Sequence, residues 1–145
     1  MIAHAEGVER FSQSGGYDVI VGGSLFHDYA DHPRKLVPIL SLGIKSTAAG
    51  RYQFLARTWD DLVARNGLRM LPDFSPESQD RAAIQLLKQC GAYSMIREGR
   101  IYEAINAARK LWASLPGAGY GQRELTAETL RTVYLNAGGV VRSVA

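Results

Sequence analysis

Glu6 is the residue of this sequence best placed to transfer a proton. It follows a short apolar run, residues 1–5, and Gly7 comes directly after it. Because glycine frequently terminates helices, the pattern predicts a short helix that ends at the acid and holds it against a groove. A carboxyl group partly removed from water favours its protonated form. Glu6 is therefore predicted to be a catalytic proton donor, although an acid followed by glycine also occurs at ordinary helix ends.

A second stretch, residues 48–54, combines small residues with an aromatic residue and an amide. Small residues let a sugar ring approach the backbone, while Tyr52 offers a flat apolar face and Gln53 both donates and accepts hydrogen bonds. Tyr120 stands alone among the glycines of residues 113–122. That glycine-rich run is either a linker or a lid whose tyrosine stacks on a sugar, and composition favours neither.

Cleavage of a glycosidic bond by hydrolysis commonly needs a second carboxylate beside the acid. The candidates that follow Glu6 are Glu9 and Asp18. Glu9 lies beyond the glycine that ends the helix and is expected to face solvent. Asp18 alternates with its neighbours along a predicted strand, so it is expected either to face the groove or to support it by hydrogen bonds.

The residues His27, Asp28, Asp31 and His32 are of metal-binding types, but their spacing matches no closed ligand set. We expect them to be solvated loop residues that form local hydrogen bonds, and we predict no metal and no cofactor. Cys90 is the only cysteine, which excludes an internal disulfide. Its place at the end of an apolar helical pattern predicts a buried structural thiol.

Length and composition predict one globular domain over residues 1–145, with 46% hydrophobic and 21% charged residues. The net charge of +3 suggests an acidic polymer as partner, either nucleic acid or an anionic cell wall. Because the basic residues are spread along the chain, nucleic acid is not expected. The sequence shows neither a secretory signal nor an apolar run long enough to span a bilayer, so we expect cytoplasmic accumulation and no membrane insertion.

Hydrophobic periodicity and capping residues predict a mainly helical chain. Trp59, Leu62 and Val63 share one face of a predicted helix with Leu55, and Ser75 followed by Pro76 marks a helix start. The predicted helices cover residues 55–66, 76–90, 94–98, 101–112 and 126–137. A strand over residues 17–21, a turn at Gly22-Gly23 and a returning strand over residues 25–29 form the predicted hairpin. Residues 41–47 are predicted to be a loop.

With these segments in place, the chain resembles the phage lambda endolysin family of lytic transglycosylases. The matching residues occur in order along nearly the whole chain, which makes the resemblance far more specific than any single motif. They are Glu6-Gly7, residues 16–23, Asp28-Tyr29, residues 31–36, residues 45–47, residues 50–53, residues 74–76, residues 78–80 and residues 112–122.

The resemblance implies a lysozyme-like α+β fold, mainly helical with a small antiparallel sheet. It implies cleavage of the β-1,4 bond between N-acetylmuramic acid and N-acetylglucosamine in peptidoglycan, with a 1,6-anhydro product and no hydrolysis. Glu6 would be the catalytic acid. The substrate-binding residues would be Asp18, Ser46, Tyr52, Gln53, Tyr120 and Gln122.

The resemblance also implies a monomer that accumulates in the host cytoplasm and passes through a holin pore to the periplasmic wall. Two alternatives remain open at this stage. One is a hydrolytic muramidase that uses Asp18 as its second carboxylate. The other is a phage wall-binding protein that has kept the fold and lost the chemistry.

Overall fold

The structure is a computed structural model that describes residues 1–112, 115 and 125–142. Within these residues the chain forms six α-helices and one two-stranded antiparallel sheet, so the predicted α+β class is confirmed. No helix among them is long and apolar enough to cross a bilayer. The elements are α1 (Ile2–Glu6), a 3-10 helix (Val8–Phe11), β1 (Val37–Ile39), a 3-10 helix (Leu40–Leu42), β2 (Ile44–Ser46), α2 (Ala56–Asn66), α3 (Pro76–Gln89), α4 (Ala92–Arg97), α5 (Ile101–Ala108) and α6 (Ala127–Asn136).

The helices begin where the capping residues predict. The hydroxyl of Ser75 accepts a hydrogen bond from the backbone N–H of Ser78 at 3.3 Å, directly before Pro76 opens α3. The hydroxyl of Thr126 accepts one from the backbone N–H of Thr129, which caps α6. These side chains satisfy N–H groups that a helix start leaves without partners inside the helix.

Two details of the predicted helices are wrong. Leu55 lies just before α2 and is exposed, whereas Trp59 and Leu62 are buried as expected. The helix predicted to reach Trp112 ends at Ala108, because the chain turns there and the N–H of Leu111 bonds the carbonyl of Ala108. The side chain of Trp112 is nevertheless buried, as predicted.

The small sheet exists, but its predicted position is wrong. Of the predicted hairpin, the turn at Gly22-Gly23 and one antiparallel bridge, between Val19 and Leu25, are present. Ile20 bridges Ala49 instead, so the pairing does not extend into a ladder. The sheet instead pairs β1 with β2, in a region where a loop was predicted. A left-handed Gly43, with φ of 63°, lets the chain reverse between the two strands.

The described residues divide into two compact units, Glu6–Ala83 on the one hand and Met1–Ala5 with the residues from Ile84 onward on the other. In the unit Glu6–Ala83, a cluster of buried aromatic rings forms the core. Phe74 is fully buried at its centre and meets Trp59 edge to face, with ring centroids 4.6 Å apart. The prediction of a single domain stays a prediction.

In the other unit, α5 packs against both α4 and α6. Its apolar face is buried through Ile101, Ile105 and Ala108, in agreement with the helical spacing. Cys90 is half-buried, so the expectation of a fully buried thiol is wrong. Its Sγ lies 3.5 Å from the carbonyl oxygen of Leu87.

Candidate active site

Glu6 is the last residue of α1, and Gly7 follows it in the left-handed conformation with φ of 69°. This conformation costs glycine little because it has no Cβ, so the helix stops at the acid as the sequence predicts. The Glu6 side chain is half-buried. Its place at a fixed helix end, partly out of water, suits a residue that must hold a proton, and its catalytic role stays a prediction.

The segment after Glu6 folds back on itself. Val8 is 2% exposed and begins a 3-10 helix, and Gly16 returns to pack against it. A Cβ on Gly16 would come within 2.4 Å of Val8 Cγ2, so only glycine allows this approach. The chain after Glu6 is therefore a loop whose end returns to pack against its beginning. We call residues 7–16 the post-acid loop.

Asp18 supports the post-acid loop through hydrogen bonds. The hydroxyls of Ser12 and Ser14 both donate to its Oδ1, the latter at 2.6 Å. Burial of the side chain works to raise the pKa of Asp18, but the two hydroxyl donors outweigh it and lower the pKa below its ordinary value. The sequence left open whether Asp18 faces the groove or supports it by hydrogen bonds. The two serine bonds agree with the second orientation.

Tyr52 is held by a hydrogen bond to α3. Its hydroxyl donates to Asp80 Oδ1 at 2.7 Å, and the hydroxyl of Tyr17 donates to the same oxygen at 2.8 Å. Burial, followed by the contact with Asp80, raises the pKa of Tyr52, so the phenol stays protonated. Because its hydroxyl is fixed in this way, the position of the aromatic ring is defined by the fold.

Gln53 and Ser46 both bind the backbone of their own neighbourhood. Gln53 adopts a left-handed conformation with φ of 51°, and its Nε2 donates to the carbonyls of Val19 at 3.2 Å and Gly50 at 3.0 Å. The hydroxyl of Ser46 accepts from the N–H of Ala48 at 3.2 Å. These bonds shape the turn that carries Tyr52. Whether the same side chains also contact a glycan stays a prediction, as it does for Asp18 and Tyr52.

Gln79 is a central residue of this site that the sequence analysis did not single out. Its side chain is 0% exposed, and Nε2 donates to the carbonyls of Tyr17 at 3.0 Å and Phe74 at 2.9 Å. Its Oε1 accepts from the backbone N–H of Arg51 at 2.9 Å. One amide therefore joins three separate chain segments. The only signal for it was its place in a matching motif, residues 78–80.

Arg51 is also a site residue that the sequence analysis missed, and it pairs with Glu9. Arg51 Nη2 lies 2.9 Å from Glu9 Oε1, and Arg51 Nη1 donates to the carbonyl of Gly15. Glu9 is exposed, as expected, with 44% of its side chain accessible, and its carboxylate also forms this ion pair. The signal for Arg51 was again its place in a matching motif, residues 50–53, of which Tyr52 and Gln53 were the predicted site residues.

The four residues of metal-binding type are used for structure. His32 is buried, so the expectation that it is solvated is wrong. Its Nε2 lies 2.7 Å from the carbonyl oxygen of Phe54, its Nδ1 accepts from the N–H of Arg34, and burial lowers the pKa of the ring. Asp31 pairs with Arg34, and His27 and Asp28 are exposed. In the part of the chain that the structure describes, no group of three His, Cys, Asp or Glu side chains could hold a metal ion.

Tyr120 and Gln122, the two remaining predicted site residues, lie outside the described residues. Their roles, and the choice between a linker and a lid for the glycine-rich run, stay predictions.

Sequence comparison connects this chain with proteins of known type. The endolysin family profile matches residues 1–141. The endolysin of Escherichia phage lambda is 52% identical over 147 residues, which cover 99% of this chain and 90% of that protein. The endolysin of Escherichia phage P2 is 50% identical over 151 residues, with 97% and 90% covered.

Structural comparison gives the same result. A structure of bacteriophage lambda lysozyme complexed with a chitohexasaccharide superposes with a TM-score of 0.90 at 51% identity, covering 97% of this chain and 91% of that one. A second structure of lysozyme from bacteriophage lambda gives a TM-score of 0.86 at 49% identity with the same coverage. The predicted lysozyme-like fold is confirmed by these similarities.

Replacing Gln79 by alanine tests the importance of the buried amide. The variant leaves three backbone polar groups without their partner, and a buried group in that state costs about 1 to 3 kcal/mol. Because some of these groups are only partly buried, we expect the free energy of unfolding to fall by about 2 to 4 kcal/mol. Urea denaturation measures it. Gln85→Ala, at a half-exposed position of the same helix, serves as control, and equal losses for the two variants would contradict the assignment.

Proposed function

This chain belongs to the endolysin family of phage cell-wall lytic enzymes, and from that premise we propose that it is a lytic transglycosylase. It cleaves the β-1,4 bond between N-acetylmuramic acid and N-acetylglucosamine in peptidoglycan. The product is a 1,6-anhydromuramic acid end, formed without water. Glu6 is the one catalytic carboxyl of this reaction.

The observation that carries the choice of chemistry is the state of the other two candidate carboxylates. A hydrolase with an acid and a second carboxylate places them about 5 to 5.5 Å apart when retaining and about 6.5 to 9.5 Å apart when inverting. Here Asp18 already accepts two hydroxyl donors, and Glu9 is paired with Arg51. The hydrogen bonds from Ser12 and Ser14 outweigh burial in lowering the pKa of Asp18, and they hold its carboxylate against the post-acid loop. Both side chains are better suited to structural support than to a second catalytic role.

A transglycosylase needs no second carboxylate because the substrate supplies the nucleophile. Glu6 donates its proton to the bridging oxygen as the bond from that oxygen to the anomeric carbon breaks. The hydroxyl on carbon six of the same muramic ring then bonds to the anomeric carbon and closes the anhydro ring. Its proton goes to the Glu6 carboxylate, which returns the enzyme to its starting state. One side chain thus acts first as acid and then as base.

The proposed glycan contacts come from residues whose positions the fold fixes. Tyr52 offers an apolar ring face while its hydroxyl stays on Asp80, and Gln53 and Ser46 hold the neighbouring backbone. Tyr120 and Gln122 are proposed as further contacts on the resemblance alone. The structurally similar lambda lysozyme has been observed with a chitohexasaccharide, which supports a glycan strand as substrate.

Release and location are proposed from the resemblance as well. The enzyme accumulates in the host cytoplasm and reaches the periplasmic wall after a holin opens the inner membrane. It acts there as a monomer on the glycan strands.

Glu6→Gln is expected to lower the release of soluble fragments from purified peptidoglycan by at least about 100-fold, because the amide cannot donate the catalytic proton. Turbidity loss of a sacculus suspension measures the rate. The variant should remain folded by circular dichroism, since glutamine has nearly the same shape as glutamate.

The matched control for this variant is Glu77→Gln, which changes a carboxylate that is 85% exposed on α3. It should retain the activity of the unchanged protein. If Glu6→Gln remained as active as Glu77→Gln, the assignment of Glu6 would be wrong. A chain that bound sacculi without any release of fragments would instead be a wall-binding protein.

Asp18→Asn separates the transglycosylase from the muramidase. Asparagine keeps an acceptor oxygen for Ser12 and Ser14 but cannot act as a base, so we expect activity within about 10-fold of the unchanged protein. A muramidase that depended on Asp18 would lose about 100- to 10,000-fold. Asp61→Asn, at an exposed position of α2, controls for the loss of one negative charge.

A further inference from the structure

Arg51 holds both ends of the post-acid loop at once. Its Nη2 is 2.9 Å from Glu9 Oε1, near the beginning of that loop, and its Nη1 donates to the carbonyl of Gly15, near the end. The guanidinium group is planar and rigid, so two donors on one group fix the two acceptors relative to each other. The side chain is 25% exposed, which limits the screening of the ion pair by solvent.

Arg51 is itself anchored in the core of its unit. Its backbone N–H donates to the buried amide of Gln79, and its guanidinium lies over the ring of Tyr17, 5.3 Å from the centroid. Tyr17 is fixed in turn by its bond to Asp80. A displacement of Arg51 would therefore disturb contacts that are partly buried, which makes it a firm point of attachment for the post-acid loop.

The post-acid loop passes this constraint on to Glu6. Only Gly7 and Val8 separate Glu6 from Glu9, and Val8 is buried against Gly16. The loop has no long flexible segment in which a movement of Glu9 could be absorbed. The positions of Glu9 and Gly15 thus restrict the backbone that follows Glu6, and with it the direction of the acid.

We propose that Arg51 is a positioning residue for Glu6. It does not touch the reacting atoms, and it acts through Glu9 and Gly15 to keep the acid aligned with the bridging oxygen of the glycan. This role rests on the proposed catalytic function of Glu6. It assigns a purpose to Glu9, whose carboxylate serves as the anchor for the arginine.

Arg51→Gln tests this role. A shift of about 1 Å in a catalytic group can cost about 100-fold in rate, so we expect kcat on soluble glycan strands to fall about 10- to 100-fold while KM changes less than about 3-fold. Glu9→Gln should lower kcat in the same way. The double variant should be no worse than Arg51→Gln alone, because both changes break one ion pair. Arg51→Lys should restore part of kcat, since an ammonium group can still pair with Glu9.

The matched control is Arg34→Gln. Arg34 likewise binds two acceptor groups, Asp31 and Asp60, on exposed parts of the same unit. Its loss should lower the thermal midpoint by an amount comparable to Arg51→Gln and leave kcat unchanged. A fall in kcat for Arg51→Gln that exceeds the control at equal stability supports positioning.

Two results would overturn the proposal. If Arg51→Gln lowered only the thermal midpoint, the arginine would be structural, and if it raised KM at constant kcat, it would bind substrate. Either result would leave the proposed function intact as long as Glu6→Gln is inactive and the products carry anhydro ends. If Glu6→Gln were active, the proposed function would fail irrespective of Arg51.

Discussion

The buried amide of Gln79 connects the segments on which the candidate site depends. It binds the carbonyls of Tyr17 and Phe74 and the N–H of Arg51, and so joins the aromatic core to two surface turns. A buried amide with all its bonds made is favourable only in one arrangement, because a shifted neighbour leaves a polar group without a partner. From Gln79 the constraint continues through Arg51 to the post-acid loop. The loop that follows Glu6 is thus held by hydrogen bonds as well as by apolar packing.

Three carboxylates of the unit Glu6–Ala83 are each engaged by a different kind of side-chain donor. Asp80 receives two phenol hydroxyls, Asp18 receives two serine hydroxyls, and Glu9 receives a guanidinium donor. Each of these arrangements stabilises a negative charge and stiffens a turn. The proposed catalysis by one acid that later acts as a base fits such a site, since these other acids are already engaged by side-chain donors. In that proposal the substrate's own hydroxyl takes the place of a second carboxylate.

Helix positions could be predicted from the sequence because their signals are local. Ser75, Pro76, Thr126 and Gly7 act within a few residues of their own position, and the structure has the helix ends there. The predicted hairpin keeps one bridge, between Val19 and Leu25, but does not extend into a ladder because Ile20 pairs with the distant Ala49, which local composition cannot indicate. His32 was taken for a solvated residue because its buried partner, the carbonyl of Phe54, lies 22 positions away. The roles of Gln79 and Arg51 could not be predicted for the same reason, since they arise from hydrogen bonds to distant backbone groups.

The chemical identity of the released ends tests the central claim most directly. Purified peptidoglycan is digested to completion, and the soluble fragments are separated and weighed by mass spectrometry. The account predicts that every newly formed muramic end is one water lighter than a reducing end, and that digestion in isotopically labelled water adds no label to it. Reducing ends that carry label from the solvent would contradict the account and make the protein a muramidase.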